Sequence, residues 1–274
     1  MPLHDSFNIY LADLNLEIPK QLNLTFVNAL IAKHVARYSF NSLAVNLGED
    51  ISLDVDLIID KLVNRQFGGY CFEHNKVVFE CLKQLGFDVE LKLAQVLYNK
   101  NTASPRTHRI TLLNLDNKQY ILDAGFGGFG PVTPLLLKAN IEQISGSDTY
   151  KLLESNAEYV LQIFKDGEFF SLFRFDFANY SDFDCELSHF YSHKHKQASF
   201  VNNLLVSLKT STKLAVLKNH QLKSKNAALN TEQIITITSP EQLNSTLLSE
   251  FKLDIDIVIC QHLFDRFIKP NLEC

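Results

Sequence analysis

The hydrophobic period of this chain changes near residue 87, which excludes a helical bundle or a sheet running its whole length. Before the change, apolar residues recur at intervals of three and four. Leu24, Val27, Leu30, Ile31 and His34 mark a helix over 24–36, and Leu53, Leu57, Ile58, Leu62 and Val63 a second over 53–64. A third starts near Cys71, with Cys71, Asn75, Val78, Leu82 and Leu85 on one stripe and Gly86 placed to stop it. From Asp88 the period shortens toward two. Segments 88–98, 108–115, 118–124, 158–165 and 168–176 read as strands, and Asp116-Asn117 and Asp166-Gly167 as two-residue hairpin turns. That predicts an antiparallel sheet or small barrel. Beyond residue 185 the pattern mixes a strand at 201–210, a hairpin partner at 213–218, a strand at 233–237 and a helix at 240–251.

Composition narrows the function classes. With 274 residues, 46% apolar and 21% charged, the chain can bury a sizeable core without metal or disulfides. A net charge of −5 with dispersed lysines leaves only a small basic spot, His193 to Lys196, so no nucleic-acid partner is expected. Met1-Pro2-Leu3-His4-Asp5-Ser6 lacks the charged start and apolar stretch of a signal peptide, and no apolar run approaches the ~18–20 residues that span a bilayer. Cys71, Cys81, Cys185, Cys260 and Cys274 are widely spaced without metal-ligand spacing, which predicts free thiols, no metal site and a cytoplasmic location.

Three features carry chemistry. Phe67-Gly68-Gly69-Tyr70-Cys71 places a cysteine at a helix start behind two glycines, where the positive end of the helix dipole favours thiolate. A buried structural cysteine is the competing reading. If Asp116-Asn117 is a two-residue turn, Leu115 pairs with Lys118 and Ile110 lies opposite Asp123. His108 then shares a face with Asp123 as its diagonal neighbour, ~7–8 Å apart at Cα, within reach of a hydrogen bond. A nucleophile, a base and an orienting acid form the minimum set for covalent catalysis. The third feature, Ala124-Gly125-Phe126-Gly127-Gly128-Phe129-Gly130-Pro131, offers backbone N–H groups to an anion, or is simply a tight turn leaving a barrel.

The strings Gly68 to Asn75, Thr107-His108-Arg109 and Tyr120 to Gly127 resemble the arylamine N-acetyltransferase family, and the likeness extends over most of the chain. Upstream, Leu53 to Val63, His34 and Phe40 fall where the family has counterparts; downstream, Ser199 to Val206 resembles the strand that opens its third domain. The resemblance implies an α+β fold with a Cys–His–Asp core: a helical domain (1–86), a β-barrel (87–188) and an α/β lid (189–274) over a cleft. It implies Cys71 as nucleophile, His108 as base and Asp123 as orienting acid. Phe126 would line the acceptor pocket, Thr107 and Gly127 would flank the cleft, and Ser104 would touch coenzyme. It further implies acetyl-CoA as co-substrate rather than a permanently bound cofactor, with a small aromatic amine or hydrazine as acceptor.

Departures from the family pattern accompany the match. Phe67 stands where the family has Arg before the glycines, Ser39 to Leu43 lacks a carboxylate, and residues 192–200 carry Lys and His in place of Pro and Ser. The competing functions are a Cys–His–Asp hydrolase or transglutaminase-like enzyme, an amide synthase of the same family with another acyl donor, and a non-catalytic coenzyme-binding homologue. His74 reads as a solvated or packing residue, and His189, His193 and His195 as part of a solvated loop.

Overall fold

The computed structural model describes residues 3–99 and 104–272. Its first part is helical. Asn23 caps the helix Leu24–Arg37 by accepting the Phe26 N–H, and the predicted 53–64 helix is an α-helical turn, Val55–Ile59, that widens into a π-helical one, Asp60–Asn64. The helix Cys71–Gln84 ends where Gly86 and Phe87 donate to Lys83 and Leu82 carbonyls. Phe7, Val27, Leu30, Ile31, Val78 and Leu82 are the centre of the core these helices share.

Eight antiparallel strands follow. Glu168–Asp176 pairs with both Asp88–Val96 and Glu158–Lys165, joining a hairpin-built half on each side. The two outermost strands, Leu135–Leu136 and Glu142–Ser145, nearly close the sheet. Side chains complete that seam: the Gln143 amide accepts the Leu136 N–H at 2.7 Å and donates to the Leu136 carbonyl at 2.9 Å. Asp116, Asn117 and Asp166 have positive φ, as the two-residue hairpin turns require, and Leu115 pairs with Lys118 as expected.

A second sheet of five strands forms the tail. It includes Phe40–Asn41 from the helical part, which pairs with Val206 and Ser207, so the helical part and the tail share one sheet. The strand expected over 201–210 begins only at Leu205, because Ser199–Asn202 is a helical turn. Asn202 donates to the Lys196 and Ala198 carbonyls, a local bonding pattern that competes with extended backbone. Gln221–Asn226, polar and unremarkable in sequence, is a strand because partners flank it on both sides. The histidines expected in a solvated loop sit on or at the end of a helix, Asp182–Lys194. His189 is buried there because Ile51 and Tyr70 both bond its ring. That helix runs across residue 188.

Candidate active site

Cys71 is the first residue of its helix, and the approach to it is sterically tight. Gly68 has φ +66°, and a Cβ there would lie 2.3 Å from the Ser39 carbonyl oxygen. Glu73 holds the turn together: one carboxylate oxygen accepts the Tyr70 N–H at 3.0 Å and the other the buried Lys61 ammonium at 2.7 Å. The Cys71 thiol donates weakly to the Thr107 carbonyl at 3.6 Å, which ties the helix start to the residue preceding His108.

His108 opens the strand His108–Leu115, and Asp123 follows the end of its partner Lys118–Leu122. His108 Nε2 donates to Asp123 Oδ2 at 2.7 Å, both side chains being buried. Because a carboxylate only accepts, Nε2 carries the proton and Nδ1 keeps its lone pair. Phe126 and Phe173 hold the imidazole, with ring centroids 5.0 and 5.1 Å away.

Asn75, one turn beyond Cys71, is the link between the elements. Its amide donates to the Arg109 carbonyl at 2.6 Å and to Asp123 Oδ1 at 3.0 Å, and accepts the Ala124 N–H at 2.8 Å. One side chain thus fastens the helix to both strand ends. The sequence placed Asn75 on the core stripe but did not reveal this role; its place four residues after Cys71 was the available signal. Gly125 permits the close approach, since a Cβ there would lie 2.9 Å from Cys71 Cα.

The expected thiolate bias at Cys71 is not what the structure gives. Burial, and then the Asp123 charge, push the thiol pKa well up, while hydrogen bonds from the Phe72 and Arg109 backbone pull only partly the other way. The helix end alone does not ionise this sulfur. A base must take the proton.

Comparison with known proteins bears on this geometry. A model of the N-acetyltransferase family matches residues 23–259. An arylamine N-acetyltransferase of Escherichia coli is 34% identical over 200 residues, covering 73% of this chain and 71% of the relative. The chain belongs to the arylamine N-acetyltransferase family. It is therefore an acyltransferase. A Salmonella typhimurium relative, named arylamine N-acetyltransferase / N-hydroxyarylamine O-acetyltransferase, is 32% identical over 189 residues, 68% of this chain and 67% of that protein. Its fold is also that of the solved Salmonella typhimurium arylamine N-acetyltransferase, with TM-score 0.89 at 23% identity over 97% of this chain and 100% of the other. A Mycobacterium marinum arylamine N-acetyltransferase solved in complex with CoA superposes with TM-score 0.88 at 22% identity, covering 95% of this chain and 99% of that one.

In this family member the remaining expected residues are spread around the cluster. Phe126 and Gly127 line a small cavity with Tyr38, Phe40, Ser207 and Lys209, and Asp123 forms part of its wall. Thr107 meets the sulfur through its carbonyl. Ser104 is turned to the end of the strand Asp88–Val96, where it accepts from Gln95 at 2.9 Å. Phe67, in place of the family arginine, packs at the edge of the tail core, with Arg65 and Lys61 over its ring at 5.5 and 5.8 Å. Lys61 pairs with Glu73, so a cation still reaches the turn before the cysteine.

His74 is neither solvated nor a simple packing residue. It is buried in a chain of hydrogen bonds: Tyr10 Oη to His34 Nδ1 at 2.7 Å, His34 Nε2 to His74 Nδ1 at 2.7 Å, and His74 Nε2 to the Ser39 carbonyl at 3.3 Å. The terminal carbonyl can only accept, so every proton in the chain is directed toward it. Cys81, Cys185 and Cys260 are free and buried, and Cys274 lies outside the described residues. Among the described residues no group of three His, Cys, Asp or Glu could hold a metal ion, and no helix is long and apolar enough to cross a membrane.

Proposed function

We propose that this protein transfers an acetyl group from acetyl-CoA to an arylamine, arylhydrazine or N-hydroxyarylamine by a ping-pong route through a thioester on Cys71. The observation carrying this reading is the buried assembly in which Asn75 bonds Asp123, Asp123 accepts from His108, and Cys71 begins the helix that carries Asn75. His108 Nδ1 takes the thiol proton, and the thiolate attacks the acetyl carbonyl carbon. The bond from that carbon to the coenzyme sulfur breaks, and the coenzyme leaves as a thiol with the proton His108 returns. The amine then attacks acetyl-Cys71, gives its proton to His108 and leaves as the amide, while the Cys71 sulfur recovers a proton. Asp123 fixes the Nε2–H tautomer and stabilises the imidazolium between steps. The Cys71 backbone N–H, at the open first turn of its helix, is one donor for the developing oxyanion.

The glycine-rich loop 125–130, Thr107 and Ser104 are the proposed coenzyme side, and Phe126 the acceptor side. The division into units 1–86, 87–188 and 189–274 and a cytoplasmic location belong to the same reading. Intact-mass measurement after mixing with acetyl-CoA, without acceptor, tests it. A gain of about 42 Da, one acetyl replacing hydrogen, is expected in the wild type, discharged by an arylamine and absent from Cys71→Ala. Acetyl transfer persisting in Cys71→Ala at near wild-type rate would refute the route.

A further inference from the structure

Tyr70, the residue before the reactive cysteine, is tied to a histidine 119 positions away in sequence. Its ring is buried against Phe72, His189 and Phe200, with centroids 5.8, 5.7 and 5.5 Å away. The hydroxyl, the ring's one polar atom, meets His189 Nδ1. On the far side of that imidazole, Nε2 lies 2.9 Å from the Ile51 carbonyl oxygen. A carbonyl only accepts, so Nε2 carries the proton, Nδ1 keeps its lone pair and the Tyr70 hydroxyl donates. Burial, with His193, Lys61 and Lys194 nearby, outweighs the Ile51 bond and lowers the imidazole to a pKa of about 4. Nδ1 therefore stays an acceptor at neutral pH.

The turn before Cys71 is fixed from two directions. Ser39, Asn41 and Glu73 bond the backbone of Gly69 and Tyr70, while His189 alone bonds the Tyr70 side chain. The helix that carries His189 also holds the residue after His108. There Asp182 accepts the Arg109 guanidinium at 3.1 Å, and the Arg109 carbonyl accepts the Asn75 amide. One helix thus grips a sequence neighbour of the nucleophile and a sequence neighbour of the base.

We propose that His189 is a positioning residue for acetyl transfer: by accepting the Tyr70 hydroxyl it fixes the direction in which Cys71 presents its sulfur and N–H to the acyl carbon. This role presupposes Cys71 as the acylated residue. Neither His189 nor Tyr70 exchanges a proton with substrate; both act through the geometry of the turn.

The burst of nitrophenolate from p-nitrophenyl acetate tests the role, because this donor needs no coenzyme contacts. The thiolate attacks the ester carbonyl, the bond from that carbon to the nitrophenolate oxygen breaks, and Cys71 is left acetylated. Tyr70→Phe and His189→Leu should each slow the burst about tenfold, through a slightly misplaced nucleophile. Tyr70→Phe keeps the buried ring, so it carries the test should His189→Leu fail to fold. The double variant should lose about tenfold again rather than a hundredfold, because both changes remove one bond. His189→Asn sets an amide oxygen in the place of Nδ1 and loses only the Ile51 bond, so it should act within about threefold of wild type. Unchanged bursts in Tyr70→Phe and His189→Leu, additive losses in the double variant, or His189→Asn as slow as His189→Leu would overturn the role. A wild type without a burst would overturn it together with the thioester route. The expected slowing in a protein that acetyl-CoA does not acetylate would uphold His189 and refute only the donor.

Discussion

The first turns of the Cys71 helix separate two buried histidine systems that differ in what ends them. On one side His108 donates to the carboxylate of Asp123 at 2.7 Å. On the other, His74 donates to the uncharged Ser39 carbonyl at 3.3 Å and receives from a second imidazole, His34. Exposure is almost equal, 2% for His108 and 1% for His74. Burial, helped by the nearby Lys61 ammonium and only partly opposed by bonds to the Ser39 and Gly69 backbone, lowers His74 to about 4, and burial holds His34 well below its ordinary value. A carboxylate, by contrast, can stabilise an imidazolium in the same dry surroundings. At nearly equal burial, the two systems differ in the group that ends them, a carboxylate 2.7 Å from His108 and an uncharged carbonyl 3.3 Å from His74.

Replacing that carboxylate should make one side resemble the other. Asp123→Asn keeps an acceptor for the Asn75 amide and the Gly125 N–H but removes the charge and the demand for the Nε2–H tautomer. Acetyl transfer should fall on the order of 10⁴-fold, and alkylation of Cys71 by iodoacetamide should slow in parallel. Retention of activity within about tenfold would break the contrast.

Asn75 belongs to the reactive side alone. Asn75→Ala leaves the Arg109 carbonyl and the Ala124 N–H without their partner, at a cost of about 1–3 kcal/mol. The expected outcome is a lower melting temperature together with a kcat loss of about 10–100-fold, because Asp123 is less firmly placed. A melting change without any kcat change would confine Asn75 to stability.

The opposite side should show itself in pH dependence of folding and leave turnover alone. An unfolded His74 titrates near 6.5 and the folded one near 4, so between these values the unfolded state binds more protons. Stability is fully present above that window and falls as pH drops through it, by on the order of 3 kcal/mol for this residue at the lower end. His74→Gln keeps an acceptor and a donor but no titration. Denaturant midpoints measured across the window should flatten, with turnover at neutral pH within about threefold of wild type. A slope as steep as before would assign the acid sensitivity to other groups.

Much of this was legible in local spacing. Helix and strand periods located the Cys71 helix and the main strands, and the Asp116-Asn117 turn set the register that makes His108 a neighbour of Asp123. What stayed hidden involves residues distant in sequence. The seam between Leu136 and Gln143, the pairing of Phe40 with Ser207 and the burial of His189 against Ile51 leave no periodic trace. The helix Asp182–Lys194 escaped notice because its exposed face is as apolar as its buried one, which blurs the amphipathic pattern.

By itself, then, the sequence determined the Cys71 helix, the strands that flank the hairpin turns and the register that sets His108 beside Asp123, because these depend on neighbours a few positions away. Only the tertiary structure decided the protonation chemistry. Whether Cys71 rests as thiol or thiolate depends on dielectric and on groups brought together from separate segments, as Asn75, Arg109, Asp123 and Ala124 are.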